Sequence, residues 1–298
     1  MLHLRHMTHH DIPFGLELCR LAGWNQLESD WRRLIALEPE GVLVAEEAGH
    51  PCGTASTTTY GTATAWIGMV LVHPDFRRRG VGTALMDRCI RHLQDRHIQS
   101  IKLDATDQGR PVYLKLGFRD ERPIHRCQGL ASGAAPHRSD ARVVGASTFL
   151  PRDLRPADWP AIASMDIQAF GADRLALLKH LSADGPAAVL PSSPSTPSSA
   201  GGPLRAYGFA RRGSRASYLG PLVAHDADAV QIIARTLLAG LPAGEVYWDL
   251  LTENLPGVRL AESLGFRTVR ELTRMYLGET MDPGEVDLVY AAAGFELG

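Results

Sequence analysis

Arg77, Arg78, Arg79, Gly80 and Gly82 stand together between an apolar run and an amphipathic one. Trp66 to Val72 is continuously apolar, as expected of a strand buried on both faces, and Pro74 ends it because proline has no N–H for a ladder. Beyond Gly82, Leu85, Met86, Cys89, Ile90 and Leu93 recur at the three-and-four spacing of a helix with one buried face. Strand, glycine turn and helix in that order aim several backbone N–H groups out of the positive end of the helix. Such an arrangement binds phosphate. Gly80 and Gly82 let the main chain approach an anion closely, and the arginines add charge and fork-shaped donors. The phosphate is not that of a Walker-type nucleotide site, which needs a Gly-Lys-Ser/Thr ending, nor of a G-x-G-x-x-G dinucleotide site, which Leu85 breaks at the third glycine.

The elements that must hold this turn are readable on either side of it. A short strand at Leu2–Met7 leads to a helix capped by Thr8 or Asp11 with Pro13 in its first turn, and Ser29–Asp30 opens a second helix through Leu37. Strands follow at Val42–Glu46 and Gly53–Tyr60, then the central strand and its helix, then a strand at Ile98–Asp104. In that last strand Ile101 and Leu103 share one face and Lys102 and Asp104 the other. A short helix from Gly109 holds Val112, Tyr113 and Leu116, Gly117 suits its left-handed cap, and Glu121–Gln128 is a closing strand.

The run Arg77-x-x-Gly80-x-Gly82, in this strand–helix setting and followed by Leu116-Gly117-Phe118, resembles the [QR]-x-x-G-x-[GA] signature of the GNAT superfamily of acetyl-CoA-dependent N-acetyltransferases. The resemblance implies an α/β (α+β) fold with a mixed, mostly antiparallel sheet flanked by helices. It implies acetyl-CoA as cosubstrate, with Val70, Leu71 and Val72 lending backbone groups to the pantetheine arm. Arg77, Arg78, Arg79, Gly80, Val81, Gly82 and Thr83 would then surround the pyrophosphate, and Thr106 stands where many members carry an asparagine against the cofactor arm. Tyr113, five residues before Phe118, stands where many members place a tyrosine that protonates the departing thiolate. For the base, Asp104 ends its strand beside the expected cleft; Glu46 and Glu47 are the alternatives. Trp24, Asn25, Trp31 and Tyr60 are candidates to line the acceptor pocket. The implied reaction is direct acetyl transfer to a primary amine of a small molecule or peptide. A non-catalytic acyl-CoA-binding regulatory module and a transferase of another acyl group share the same cradle and stay open.

Composition bounds the rest. With 298 residues, 45% hydrophobic and 21% charged, the chain has room for two ordinary domains. A formal net charge of −2 gives no reason to expect nucleic acid, and no run of 18 apolar residues suggests a membrane span. Four isolated cysteines and twelve histidines without an H-E-x-x-H pattern predict reduced thiols, no metal and a cytoplasmic protein, while monomer and homodimer both stay open.

The pattern then repeats. Arg5, Asp11 and Pro13 return as Arg152, Asp158 and Pro160, an offset of 147 (158 − 11); Leu116-Gly117-Phe118-Arg119 and Arg126 return as Leu264-Gly265-Phe266-Arg267 and Arg274, an offset of 148 (266 − 118). Two agreeing offsets mark a tandem duplication. The expected boundaries are a catalytic unit at 1–130, a linker at 131–147, and a second, degenerate unit at 148–298 with a mobile Ser/Pro-rich loop at 185–203. The second copy replaces the glycine turn by Ala224-His225-Asp226 and Tyr113 by Ala261, and sets Asn254 where the first has Thr106. It is read as kept for architecture or substrate shaping.

Overall fold

The computed structural model describes residues 1–133, 150–192, 202–280 and 284–298. Most of the expected 131–147 linker, and residues 193–201 of the expected loop, lie outside them. The first copy runs β1 (Leu2–His6), α1 (Ile12–Ala22), α2 (Glu28–Leu37), β2 (Val42–Glu47), β3 (His50–Tyr60), β4 (Thr64–Val72), α3 (Val81–Asp95), β5 (Ser100–Ala105), α4 (Arg110–Lys115) and β6 (Arg119–Ala131). The second runs β7 (Arg152–Asp153), α5 (Trp159–Phe170), α6 (Leu175–Ser182), β8 (Ala187–Pro191), β9 (Leu204–Arg211), β10 (Ser217–Ala224), α7 (Ala227–Gly240), β11 (Gly244–Leu251), α8 (Leu255–Ser263), β12 (Arg267–Gly278) and β13 (Val289–Ala291).

One expectation is corrected here. Residues 187–191 are a strand, not part of a loop, because Ala187, Ala188, Val189 and Leu190 form an apolar run that buries against β9. The Ser/Pro-rich composition that argued for a loop begins only after Leu190.

The repeat shows in matching local devices. Arg5 holds Asp11 with two hydrogen bonds of 2.8 and 2.7 Å, and Arg152 holds Asp158 with two of 2.7 Å. Each aspartate also accepts from the backbone N–H three residues earlier, Thr8 or Arg155, and so fixes the entry to its first helix.

All strands join one sheet, in the order β1-β2-β3-β4-β5-β12-β6-β11-β10-β9-β8-β7, with β13 added against β10. The sixth strand of each copy, β6 or β12, therefore sits against the other copy's half. β12 lies antiparallel to β5 from Thr273↔Ala105 to Gly278↔Ser100, and β6 lies antiparallel to β11 from Ala131↔Gly244 to Ile124↔Leu251. The chain copies are separate in sequence, but the sheet is continuous through them.

Helix α3 covers one outer face with Val81, Leu85, Met86, Cys89 and Leu93, and α7 covers the equivalent face of the second half with Val230, Ile233 and Leu237. The opposite face carries a core shared by both halves, where Leu18, Trp31 and Leu34 meet Ile162, Leu177 and Leu178. The chain end from Gly294 to Gly298 closes this core. The Tyr60 hydroxyl donates to the Leu297 carbonyl at 2.6 Å, and Gly68 lies so close to Glu296 that a Cβ there would be 2.7 Å from the Glu296 Cβ. Gly68→Ala is expected to cost about 1–3 kcal/mol, the usual penalty of overpacking, read as a lower denaturant midpoint with unchanged slope.

Candidate active site

In the first half β4 and β5 run parallel and pair only from Thr64↔Ser100 to Trp66↔Lys102. From Ile67 onward the β5 side of β4 has no strand partner among the described residues. A bulge in β4 follows at Met69 and Val70. Its register against β3 slips between Thr54 and Ser56, Met69 takes a φ of 52°, and Thr54 Oγ1 donates to the Met69 carbonyl at 2.9 Å. A bulge bends a strand and ends its regular pairing, so Val70, Leu71 and Val72 present an open backbone edge to the cleft.

After β4 a single 3-10 turn at Pro74–Phe76 leads to Arg78 at φ 63° and Gly80 at φ 81°, the N-cap of α3. Gly80 has no side chain to cap the helix, and a Cβ built on it would meet nothing within 4 Å. Val81, Gly82 and Thr83 have first-turn N–H groups with no intrahelical acceptor, while Ala84 closes the helix onto the Gly80 carbonyl at 3.0 Å. The result is a set of N–H donors at the open start of α3 that have no backbone acceptor among the described residues.

The three arginines differ in their engagements. Arg77 Nε donates to the Val72 carbonyl at 3.2 Å and ties the turn to the end of β4. Arg79 pairs with Glu47 at 3.2 Å and lies 5.3 Å from the Phe76 ring centre. Arg78 is exposed with no ion-pair partner among the described residues. Glu47 is thus spent on Arg79, and Glu46 on Arg5, whose Nε donates to it at 2.8 Å.

Tyr113 lies on α4 with its ring 6.1 Å from that of Phe118, and its hydroxyl makes no hydrogen bond among the described residues. Gly109 allows this placement, since a Cβ there would be 2.8 Å from Tyr113 Cε2. Burial pushes the phenol up to about 12, with the nearby Cys89 adding to the rise. The hydroxyl therefore stays protonated through the neutral range. Thr106 Oγ1 accepts from the Gly109 N–H at 3.2 Å and keeps its own proton free to donate.

Asp104 points to the shared core, on the face expected for it, but it is fully buried and clamped. Arg274 of β12 donates to both its oxygens, at 2.8 and 3.0 Å. Burial raises the Asp104 carboxyl from its ordinary range, while the guanidinium pulls the other way. The second half carries the reciprocal pair: Arg126 of β6 donates to both oxygens of Asp249 of β11, at 2.8 and 2.7 Å. Arg126 and Arg274 were visible in the sequence as a repeated arginine. That each would clamp an aspartate of the opposite copy was not visible there.

Of the expected pocket aromatics, Trp31 is fully buried core and the Tyr60 hydroxyl is spent on Leu297. Asn25 joins the halves, donating to the Ala216 carbonyl at 2.9 Å and accepting from the Arg215 and Ala216 N–H groups. Trp24 packs partly buried against the shared core.

The equivalent cleft of the second half is filled by protein. β10 and β11 pair only over Ser217–Leu219, and β13 then adds to β10 at Leu222↔Ala291 and Val223↔Val289. Asn254, the counterpart of Thr106, holds this inserted strand by donating to the Asp287 and Val289 carbonyls at 3.0 and 2.9 Å, and Trp248 Nε1 donates to the Tyr290 carbonyl at 2.7 Å. Asp226, where the first half has its glycine turn, caps α7 by accepting from the Ala229 N–H at 2.8 Å. No group of three or more His, Cys, Asp or Glu that could hold a metal occurs among the described residues, and none of their helices is long and apolar enough to cross a membrane.

Comparison with known proteins agrees with this geometry. A family model described as Acetyltransferase (GNAT) family matches residues 11–118, and one described as Acetyltransferase (GNAT) domain matches 162–291. The Bacillus subtilis protein YitH, an uncharacterised N-acetyltransferase, is 25% identical over 240 residues, spanning 80% of this chain and 78% of YitH. The crystal structure of a candidate acetyltransferase from Pyrococcus horikoshii superposes with a TM-score of 0.78 at 23% identity, covering 100% of this chain and 96% of that one. A tandem GNAT protein of the clavulanic acid biosynthesis pathway superposes with a TM-score of 0.64 at 14% identity over 95% of this chain and 100% of its own. Both copies of the repeat, joined through exchanged strands, thus belong to one family, and the chain is a tandem-domain N-acetyltransferase of the GNAT family.

Proposed function

We propose that the first half transfers an acetyl group from acetyl-CoA to a primary amine, directly and in a ternary complex. One observation carries this reading: only the first half combines an unpaired β4 edge with an uncapped helix start, whereas β13 and Asp226 occupy both places in the second. Acetyl-CoA supplies the thioester, whose carbonyl carbon gains the bond to the amine nitrogen as the carbon–sulfur bond breaks. The backbone of Val70, Leu71 and Val72 orients the arm that carries it, helped by the Thr106 hydroxyl. The N–H groups of Val81, Gly82 and Thr83, with Arg78, hold the pyrophosphate. Tyr113 keeps its proton at neutral pH and donates a hydrogen bond to the sulfur that leaves. Asp104 has both oxygens engaged by Arg274 and serves to position that arginine, so the amine proton passes to water in the open cleft. The sequence units 1–130 and 148–298 act as catalytic half and scaffold, and the catalytic half is incomplete without β12.

Saturating acetyl-CoA should raise the unfolding midpoint, since a ligand at about a hundred times its Kd adds roughly 2.7 kcal/mol. A chain whose unfolding midpoint ignores both acetyl-CoA and CoA would falsify the reading. Tyr113→Phe should lower kcat about a hundredfold, the usual loss when one hydrogen-bond donor to developing transition-state charge is removed, and leave the Kd for CoA unchanged by calorimetry. Acetyl-CoA binding without turnover, indifferent to Tyr113→Phe, would mark a sensor instead.

A further inference from the structure

Behind the point where β4 and β5 part, a small cavity of about 30 Å³ with an open mouth lies between the two halves. Its walls mix two aromatic rings, Trp66 and Phe170, with four cations, Lys102, Arg122, Arg174 and Arg274. Lys102, Arg174 and Arg274 are each at least nine-tenths buried. Arg174 lies 4.0 Å from the Phe170 ring centre and Arg274 4.8 Å from that of Trp66, within cation–π reach.

Each cation has a carboxylate, but the hydrogen-bonding capacity is not used up. Arg274 spends Nε and Nη2 on Asp104, and Arg174 spends Nε and Nη2 on Asp166 and Nη1 on the Gly298 carbonyl. Lys102 reaches Glu121 at 2.9 Å with one of its three donors. Arg122 Nε, Trp66 Nε1 and Thr64 Oγ1 are buried without any partner; on the acceptor side only Glu121 Oε2 stands alone in this group. Burial lowers the Lys102 pKa, with Arg274 and Arg122 adding to the fall and Glu121 opposing it. Buried donors without acceptors are costly, and a ligand offering acceptors would relieve that cost.

The second half shows what fills such a place. There Arg126 and Tyr218 stand as Arg274 and Trp66 do in the first, each arginine clamping its aspartate from the exchanged strand. That smaller cavity already contains a carboxylate of the chain itself, Glu296, 7% exposed and facing Arg211 and Arg126. In the first half the lining residues include four cations but no Asp or Glu, and the carboxylates of Asp104, Asp166 and Glu121 reach those cations from outside the lining.

We propose that this cavity receives the anionic end, carboxylate or phosphate, of a small amine acceptor and so selects anionic amines as substrates of the first half. The inference rests on the acetyl-transfer reading above, because it takes the cavity as the floor of that reaction cleft. Trp66 is the last β4 residue paired with β5, so a ligand anchored beneath it extends its other end toward the opening between the strands.

The test is calorimetric titration of the CoA complex with matched pairs at fixed ionic strength: L-phenylalanine against L-phenylalaninamide, and O-phosphoethanolamine against ethanolamine. The charged member of at least one pair should bind tenfold or more tightly than its neutral partner, and which pair discriminates distinguishes carboxylate from phosphate. Lys102→Met should erase the difference while CoA affinity stays as in the parent chain. Should Lys102→Met lose CoA binding, and with it the fold, Arg122→Gln decides in the same way, because the Arg122 side chain, 12% exposed against 5% for Lys102, is the less deeply buried. No discrimination in either pair, or discrimination that survives both substitutions, overturns the proposal. A parent chain that discriminates between the pairs yet ignores CoA supports the anion site and sinks the transferase reading, so the two failures are separable.

Discussion

Gly80→Val should weaken CoA binding about a hundredfold while leaving the chain folded. Two effects add. A β-branched residue at φ 81° is strained by at least 1–2 kcal/mol, so the turn relaxes and its N–H groups swing away from a common target. The new side chain also points into the open space over the start of α3, where a pyrophosphate would lie. Each charge-assisted hydrogen bond is worth about 1.5–3 kcal/mol, and a factor of ten in Kd is 1.4 kcal/mol, so losing one or two of them yields the stated change. Because no atom lies within 4 Å of the added Cβ, the loss of stability should be limited to that strain of about 1–2 kcal/mol, and the chain stays folded. The measurement is CoA calorimetry beside a denaturant titration. Unaltered affinity in a folded Gly80→Val chain would remove the anion cradle from the account.

Asp104→Leu should destabilise the whole chain by about 3–5 kcal/mol, the cost of stranding one partner of a buried ion pair. Arg274 would be left 6% exposed among Trp66, Lys102 and Arg122, with no carboxylate on its Nε and Nη2 edge. The double substitution Asp104→Leu with Arg274→Met should recover most of the loss, since an apolar pair of similar volume removes both charges. Asp249→Leu should behave alike and somewhat worse, because the Tyr218 hydroxyl, 2.9 Å from Asp249, loses its carboxylate too. The strand exchange makes these effects global. β12 is held between β5 and β6, and β6 between β12 and β11, so loosening either clamp loosens both halves. Chemical denaturation that showed two separate transitions, with only one of them moved by Asp104→Leu, would contradict this coupling.

Much of the site was legible residue by residue. An apolar run ended by proline, two glycines and a three-and-four helical stripe dictate strand, turn and helix whatever surrounds them, because those signals are local backbone and burial preferences. The repeat was equally plain, and it placed Arg126 and Arg274 in matching positions. The phenol of Tyr113 was expected near its ordinary value of about 10, well matched to a thiol; burial in the folded chain moves it to about 12 and makes it a hydrogen-bond donor that holds its proton.

What the sequence alone determined is most of the elements, their order, and the glycine turn that opens α3 in one half only. Tertiary structure alone decided which strand lies beside which. Alternating apolar residues state that a strand is half-buried, but they do not name its neighbour, so β6 and β12 read the same whether paired at home or exchanged. The same limit hid β13, three residues long, whose insertion closes the second cleft. It also hid the cavity behind Trp66, since side chains far apart in sequence converge there only once both copies share one sheet.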